Sequence, residues 1–523
     1  MKSTISLLIS HFFLIASISA QDNKANHWPK AVTYEIFVQS FADSDGDGKG
    51  DFKGMTSKLD YLKDLGIEAV WLMPIHPSHS YHKYDVDDYF NVHPDYGTLQ
   101  DFRNFTDEAH KRGIHVIIDL VINHSGSGNA WFTEALKDQD SKYWYYYVWA
   151  HKDDPQVLPP SGQKRSNWYP VKGSDYLYYA FFDRSMPDLN YDNPRLRQEM
   201  LNVGRFWLTE MKVDGFRLDA ARHIYPLERA FDNYRWWEYF LQEMKKIKND
   251  VYIVGEVWSD VNEAAPYLRG IPALFNFDMA ASVIDAVNEE NGSHIASKHK
   301  EILDAYRHIR PDYIDNTFLA NHDQERILSR LNGNIEKAKL AASILLTLPG
   351  SPYVYYGEEI GMLGKKPDPL IREPFLWDER SKDKIRTAWE KPRYSTDSTV
   401  TPLSLQVGDE NSIYNHYKKL IQLRNGSAAL TSGDIIPVSL TDTSICAFIR
   451  SDPGQSLLVI HNLSGDEKEI KLPAEIQKYK TEYFSTNEYH LSGKNSRTPS
   501  PLREGRDGAV LRINRYSTII LMR

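Results

Sequence analysis

Gly215-Phe216-Arg217-Leu218-Asp219-Ala220-Ala221-Arg222-His223 reads as the tip of a buried strand running into a loop: an alternating apolar segment ends on an acid, followed by an arginine and a histidine. A helical pattern from Leu201 to Met211 precedes it, so the local order is helix, strand, loop. Arg217 and Asp219 stand two residues apart and share one strand face. Holding a carboxylate there is costly unless it is paired or used. A structural Arg–Asp pair would explain this stretch if it stood alone.

Two further runs of strand type end the same way, Tyr252-Ile253-Val254-Gly255-Glu256-Val257-Trp258 and Thr317-Phe318-Leu319-Ala320-Asn321-His322-Asp323. A third, His115 to His124, carries polar groups at and beyond its end. Strands alternating with helices imply a parallel sheet, and in a (β/α)8 barrel every strand brings its C-terminal tip to one face, where active sites are built. Asp219, Glu256 and Asp323 are therefore expected to meet.

The chain has 523 residues, which suits a barrel of about 250 or more residues plus smaller domains. Its net charge of −9 is spread without long runs, and no basic stripe is present to neutralise phosphates, so nucleic acid is not an expected partner. The 32 Tyr and 12 Trp fit core packing and also suit sugar rings, whose C–H faces stack on aromatic side chains. Residues 1–20, with Lys2 ahead of the apolar run Ile5 to Ile18 and Ala20 at the cut, read as a signal peptide. No later apolar run approaches the length of a membrane span. The lone Cys446 allows no intrachain disulfide. An exported monomer, periplasmic or secreted, is expected.

The first strand, Val32 to Phe41, runs into Asp43-Ser44-Asp45-Gly46-Asp47-Gly48-Lys49-Gly50-Asp51, with acids at alternate positions and glycine at the bends. A hard cation such as Ca2+ needs oxygen ligands spaced in this way, and Asp43, Asp45, Asp47, Lys49 and Asp51 are its candidate positions; the alternative is a solvated Asp/Gly turn. Helix Met55–Leu65, strand Ile67–Pro74, helix Leu99–Arg112 and the third strand follow, with the ring-rich loop Tyr81 to Tyr89 at the rim. Residues 124–190 break the alternation and read as a small irregular inserted domain. The barrel is expected to span 21–123 and 191–428, its sixth strand at Ala273–Phe277 and its eighth at Pro352–Glu359. From residue 429 to 523, short alternating strands such as Ser444–Arg450, Ser456–Asn462 and Ala509–Asn514 predict a C-terminal all-β sandwich.

In Asp119-Leu120-Val121-Ile122-Asn123-His124, the Gly215–His223 stretch, Gly255-Glu256-Val257-Trp258 and Asn321-His322-Asp323, taken in order, the chain resembles the α-amylase family of glycoside hydrolases (family 13). The resemblance implies Asp219 as nucleophile, Glu256 as general acid/base and Asp323 as the acid that stabilises the transition state. Around the sugar it places Tyr84, His124, Arg217 and His322, with Asp85, Arg222 and His223 as further contacts. Retaining hydrolysis needs the two working carboxyls about 5–5.5 Å apart with their pKa values pushed apart, and Arg217 is expected to keep Asp219 charged.

The resemblance also implies Ca2+ at Asn123, Asp188 and the main-chain oxygen of His223, a plain Asn–Asp hydrogen bond being the alternative. Met186-Pro187-Asp188-Leu189-Asn190 looks like a group intermediate between oligo-1,6-glucosidases and neopullulanases. Tyr81-His82 lacks the acid with which exo-acting relatives grip a chain end, which points to an open cleft. Lys83 stands where glycine is common, and Arg222 where lysine is common. The expected activity is endo-acting, retaining hydrolysis of α-1,4 bonds in starch and malto-oligosaccharides; transglycosylation and α-glucosidase or neopullulanase action are the alternatives.

Overall fold

The computed structural model describes residues 27–158, 166–487, 503–505 and 508–523. The expected signal peptide at residues 1–20 lies outside the described residues. Eight parallel strands form the central sheet: β1 (Thr33–Ile36), β2 (Ala69–Leu72), β3 (His115–Leu120), β4 (Gly215–Leu218), β5 (Tyr252–Gly255), β6 (Ala273–Phe275), β7 (Ile314–Asn316) and β8 (Tyr353–Tyr355). They pair in the order β7-β6-β5-β4-β3-β2-β1-β8. A parallel bridge between Phe318 and Tyr353, with Tyr353 N–H donating to Thr317 O at 2.8 Å, joins the two edges into a barrel.

Strand alternation sorts side chains between two layers. Trp71, Ile117, Tyr252, Val254, Ala273, Phe275, Ile314 and Tyr353 point inward and fill one apolar interior. Their neighbours, among them Val70, Val116, Phe216, Ile253 and Val354, face outward into the larger core beneath the helices. The same period of two puts Asp119 and Arg217 inside, paired across β3 and β4 in register. Gly215 begins β4 because a side chain there would meet the Tyr252 carbonyl oxygen at 2.0 Å.

Several strands are shorter than expected. The first ends at Ile36 and gives way to a helical turn, Val38–Phe41, folded against the Asp43–Asp51 loop by bonds from Gly50 N–H to Gln39 O and from Asp51 N–H to Ala42 O, both 3.0 Å. The third ends at Leu120. The seventh occupies Ile314–Asn316, so Thr317–Asp323 is a loop beyond the strand. Its Phe318–Ala320 part is apolar because it is buried beyond the strand end, which periodicity cannot distinguish from ladder pairing. Met55–Leu65 is two helices, Phe52–Ser57 and Leu59–Leu65, the first capped by the Asp51 carboxylate.

Between β3 and β4 the chain leaves the barrel to form helix Ala130–Lys137 and a three-stranded antiparallel sheet of Trp149–His151, Tyr176–Tyr179 and Trp168–Pro170. After helices Ile413–Asn425 and Ala428–Ser432, antiparallel sheets of five and three strands enclose Ile445, Leu458, Ile460, Leu511 and Leu521. Arg450, from the second of these strands, reaches the end of helix Ile335–Thr347 and donates to the carbonyls of Thr347 at 2.5 Å, Gly433 at 2.8 Å and Leu430 at 2.9 Å. Among the described residues no helix is long and apolar enough to cross a membrane. Cys446 is buried.

Candidate active site

The site lies where the C-terminal tips of β3, β4 and β5 meet the loop after β7. Asp219 and Glu256 each stand one residue beyond their strands, in phase with the inward positions 217 and 254. The Arg217 side chain, only 1% exposed, joins them. One guanidinium nitrogen contacts Asp219 at 2.6 Å and Asp119 at 2.9 Å, and the other contacts Glu256 at 2.9 Å. The two candidate working carboxylates are thus held across the width of a single guanidinium. Ala220, in left-handed backbone geometry at φ 46°, aims its N–H at Glu256 from 3.1 Å.

Asp323 enters from another side. His322 contacts it at 3.2 Å and Arg372 at 3.0 Å, and Arg372 also donates to the His322 carbonyl at 2.9 Å. The other nitrogen of His322 meets Glu35 of β1 at 2.5 Å, and Tyr84 Oη lies 2.6 Å from the first. Tyr84 also donates to Asp119 at 3.2 Å. The network therefore brings Asp219, Glu256, Asp323, Arg217, His322 and Tyr84 together, with His124 beside them through a 3.2 Å contact from its ring to Tyr84 O.

Burial governs the proton affinities. It raises the carboxyl of Asp219 above its ordinary range, while Arg217, by its charge and its hydrogen bond, pulls toward the charged form as expected. Burial prevails because one cation is shared among three buried acids. Glu256 is raised as well, by burial and then by the charges of Asp219 and Asp323 against the pull of Arg217. Asp119 rises to about 7 by burial. Burial works against both charged members of the His322–Asp323 pair, yet each outweighs it for the other: with Glu35, Asp323 lifts His322 to about 10, and His322 with Arg372 holds Asp323 well below the usual carboxylate range. His124 falls to about 4 through burial.

Other expected contacts sit differently. Asp85 is buried and accepts hydroxyl bonds from Ser78 and Ser80, so it braces its own loop. Lys83 has φ 63°, which is why a glycine is at home there; its ammonium turns away to Gln39 at 3.1 Å and the Tyr96 ring at 4.8 Å. Arg222 lies on the rim, donating to Trp258 O at 2.9 Å, and His223 packs on Phe181 with ring centres 4.4 Å apart. Tyr81 stacks on Trp389, centres 5.3 Å apart, and meets Arg372 at 3.3 Å.

Sequence reasoning gave no role to Glu35, Asp119 or Arg372. Asp119 stood within a quoted motif, and a lone acid between Tyr34 and Ile36 was the signal for Glu35.

Two places have the donor chemistry of a hard cation. Asp43, Asp45 and Asp51 offer carboxylate oxygens within 4.8 Å of one another. Asp47 stays outside that group, accepting from Lys49 N–H at 2.7 Å, while the Lys49 ammonium pairs with Asp95 at 2.7 Å. At the junction of barrel and insertion, a bridge of antiparallel type between His124 and Asp188 sets Asn123 near Asp188. Asn123 Oδ1 is buried without a hydrogen-bond partner, and burial pushes Asp188 up to about 8. A bound cation would relieve both, so these residues fit one.

Residues 35–433 match the model of the alpha-amylase catalytic domain, and residues 445–520 match that of the C-terminal domain of alpha-amylase SusG. The chain belongs to the alpha-amylase family. It is a glycoside hydrolase of the retaining type that characterises family 13. Alpha-amylase 3 of Dictyoglomus thermophilum is 43% identical, with 90% of this chain and 92% of the relative covered. A 4-alpha-glucanotransferase of Thermotoga neapolitana is 35% identical over 86% of this chain and 99% of its own. The crystal structure of an alpha-amylase from H. orenii superposes with a TM-score of 0.86 at 40% identity, covering 94% of this chain and 99% of that one.

Proposed function

We propose that this chain hydrolyses α-1,4-glucosidic bonds within starch and malto-oligosaccharides, with Asp219 as nucleophile, Glu256 as general acid/base and Asp323 as the stabilising acid. The observation that carries the assignment is the shared guanidinium: Arg217 bonds Asp219 and Glu256 at once, leaving Asp323 to a separate pair of cations, His322 and Arg372. Asp219 attacks the anomeric carbon while protonated Glu256 gives its proton to the departing glycosidic oxygen. Glu256, now a carboxylate, removes a proton from the water that opens the glycosyl-enzyme ester. Asp323, kept ionised, faces the positive charge that develops on the ring.

Calcium at Asp43, Asp45 and Asp51 and at Asn123 and Asp188 would supply rigidity, tying the first loop to the barrel and the insertion to the rim. An aromatic Tyr81 in place of an acid supports an open cleft. The apolar run Ile5–Ile18 behind Lys2, read as a signal peptide, supports export to the periplasm or beyond.

A transglycosylase reading is favoured by the 35% identity to a 4-alpha-glucanotransferase. Incubation with maltotriose separates the two. The hydrolytic reading predicts glucose and maltose with little else; products longer than maltotriose as the main outcome would replace it.

A further inference from the structure

Glu35 takes no part in the bond-breaking steps above, yet its place in the barrel calls for a role. It lies on β1 in register with Trp71 of β2, whose ring points into the barrel, and it is 1% exposed. An acid among the apolar side chains of that interior is costly unless it is paired or used. One of its oxygens takes two groups of the same distant residue: the His322 ring nitrogen Nδ1 at 2.5 Å and the His322 backbone N–H at 3.4 Å. Ring and main chain are thereby fixed together. The Trp71 ring stands edge-on to the His322 ring, centres 5.4 Å apart, and closes another side.

The opposite ring nitrogen, Nε2, faces Asp323 at 3.2 Å and the Tyr84 hydroxyl at 2.6 Å. A carboxylate accepts and does not donate, so acids on both sides of the ring call for a proton on each nitrogen, which is the cationic form. Burial opposes that form, and the charges of Asp323 and Glu35 outweigh it. The balance of charge then shows what Glu35 supplies. Asp323 touches two cations, His322 and Arg372, at 3.2 and 3.0 Å. Those three groups alone would carry a net positive charge beside a sugar ring that itself turns positive in the transition state. Glu35, on the far side of His322, cancels that excess.

We propose that Glu35 is a positioning residue for the reaction: it fixes the His322 ring and offsets its charge, so that the cluster behind Asp323 does not oppose the cation developing on the sugar. The inference rests on the reading of Asp323 above. Glu35→Gln keeps the size and the accepting oxygen and removes the charge. The full chain carrying it is expected to melt close to the parent and to lose about tenfold in kcat on maltotriose with KM unchanged, because the offset matters only once positive charge develops. A folded Glu35→Gln chain with the parent's kcat, or one in which only KM changes, overturns the inference. A second readout leaves Glu35 in place. In the parent chain labelled with 15N-histidine, the His322 ring, assigned by its absence from His322→Gln, is expected to hold protons on both nitrogens at about pH 8, where an ordinary imidazole is neutral. A neutral ring there overturns the inference even if Glu35→Gln fails to fold. The parent's turnover in Asp323→Asn would overturn the reading of Asp323 itself; loss of turnover in that variant beside the parent's turnover in Glu35→Gln overturns the role of Glu35 alone.

Discussion

The guanidinium of Arg217 faces Asp119, Asp219 and Glu256, and its shortest bond, 2.6 Å, goes to Asp219. That contact favours the charged form of Asp219, the proposed nucleophile, whereas Glu256 takes a longer bond and feels two neighbouring acids. Replacing Asp219 with Asn removes the attacking oxygen with little change of shape. Turnover is expected to fall by roughly four or more orders of magnitude, with the melting curve close to that of the parent; steady-state assays and calorimetry check both. The pH profile follows from the same environment. Glu256 must carry its proton into the first step and its folded pKa is raised, so activity persists above the ordinary carboxyl range and falls as pH rises through that raised value. Asp219 must be ionised, so activity also falls as pH drops through its own raised value. A kcat/KM profile whose alkaline limb sits at or below the ordinary carboxyl range would contradict this.

At the scale of elements, the tips of β4 and β5 were legible because alternation ends on the acid itself. Asp323 was read as a strand tip and lies instead in a loop; the apolar Phe318–Ala320 before it is buried without joining the ladder of β7. The Glu35–His322 contact joins residues 287 positions apart and Arg372 reaches Asp323 and the His322 carbonyl across 49 and 50, and no local pattern encodes them. The Asp43–Asp51 loop was legible from its acid spacing, but its attachment was not. A Cβ on Gly50 would stand 1.9 Å from the Val38 carbonyl oxygen, so the loop can close on the Val38–Phe41 turn only with glycine there. Gly50→Ala is expected to cost about 2–3 kcal/mol and to lower the melting temperature, with denaturant titration as the check.

For the molecule as a whole, the catalytic domain is the barrel, and two candidate cation sites, Asp43/Asp45/Asp51 and Asn123/Asp188, stand at its joints with the first loop and the insertion. If Ca2+ fills them, EDTA lowers the melting temperature and added Ca2+ restores it, because an ion bound only by the native state stabilises it by about 2.7 kcal/mol at a free concentration 100 times its Kd. Coincident melting curves with and without EDTA would remove calcium from the account. The division into barrel, insertion and β-rich C-terminal segment was legible from changes in period and turn content. The seating of the last was not, because Arg450 sits on an apolar-alternating strand and meets backbone carbonyls that carry no sequence signature. The central claim is that Asp219 forms the glycosyl-enzyme bond, and trapping tests it most directly. The protein is incubated with a fluorinated α-glucosyl fluoride that glycosylates the nucleophile with loss of fluoride but turns over slowly, then digested and mapped by mass spectrometry. The account predicts one added glycosyl mass, on the peptide that contains Asp219. A label on Glu256, on Asp323 or on no carboxylate would contradict it.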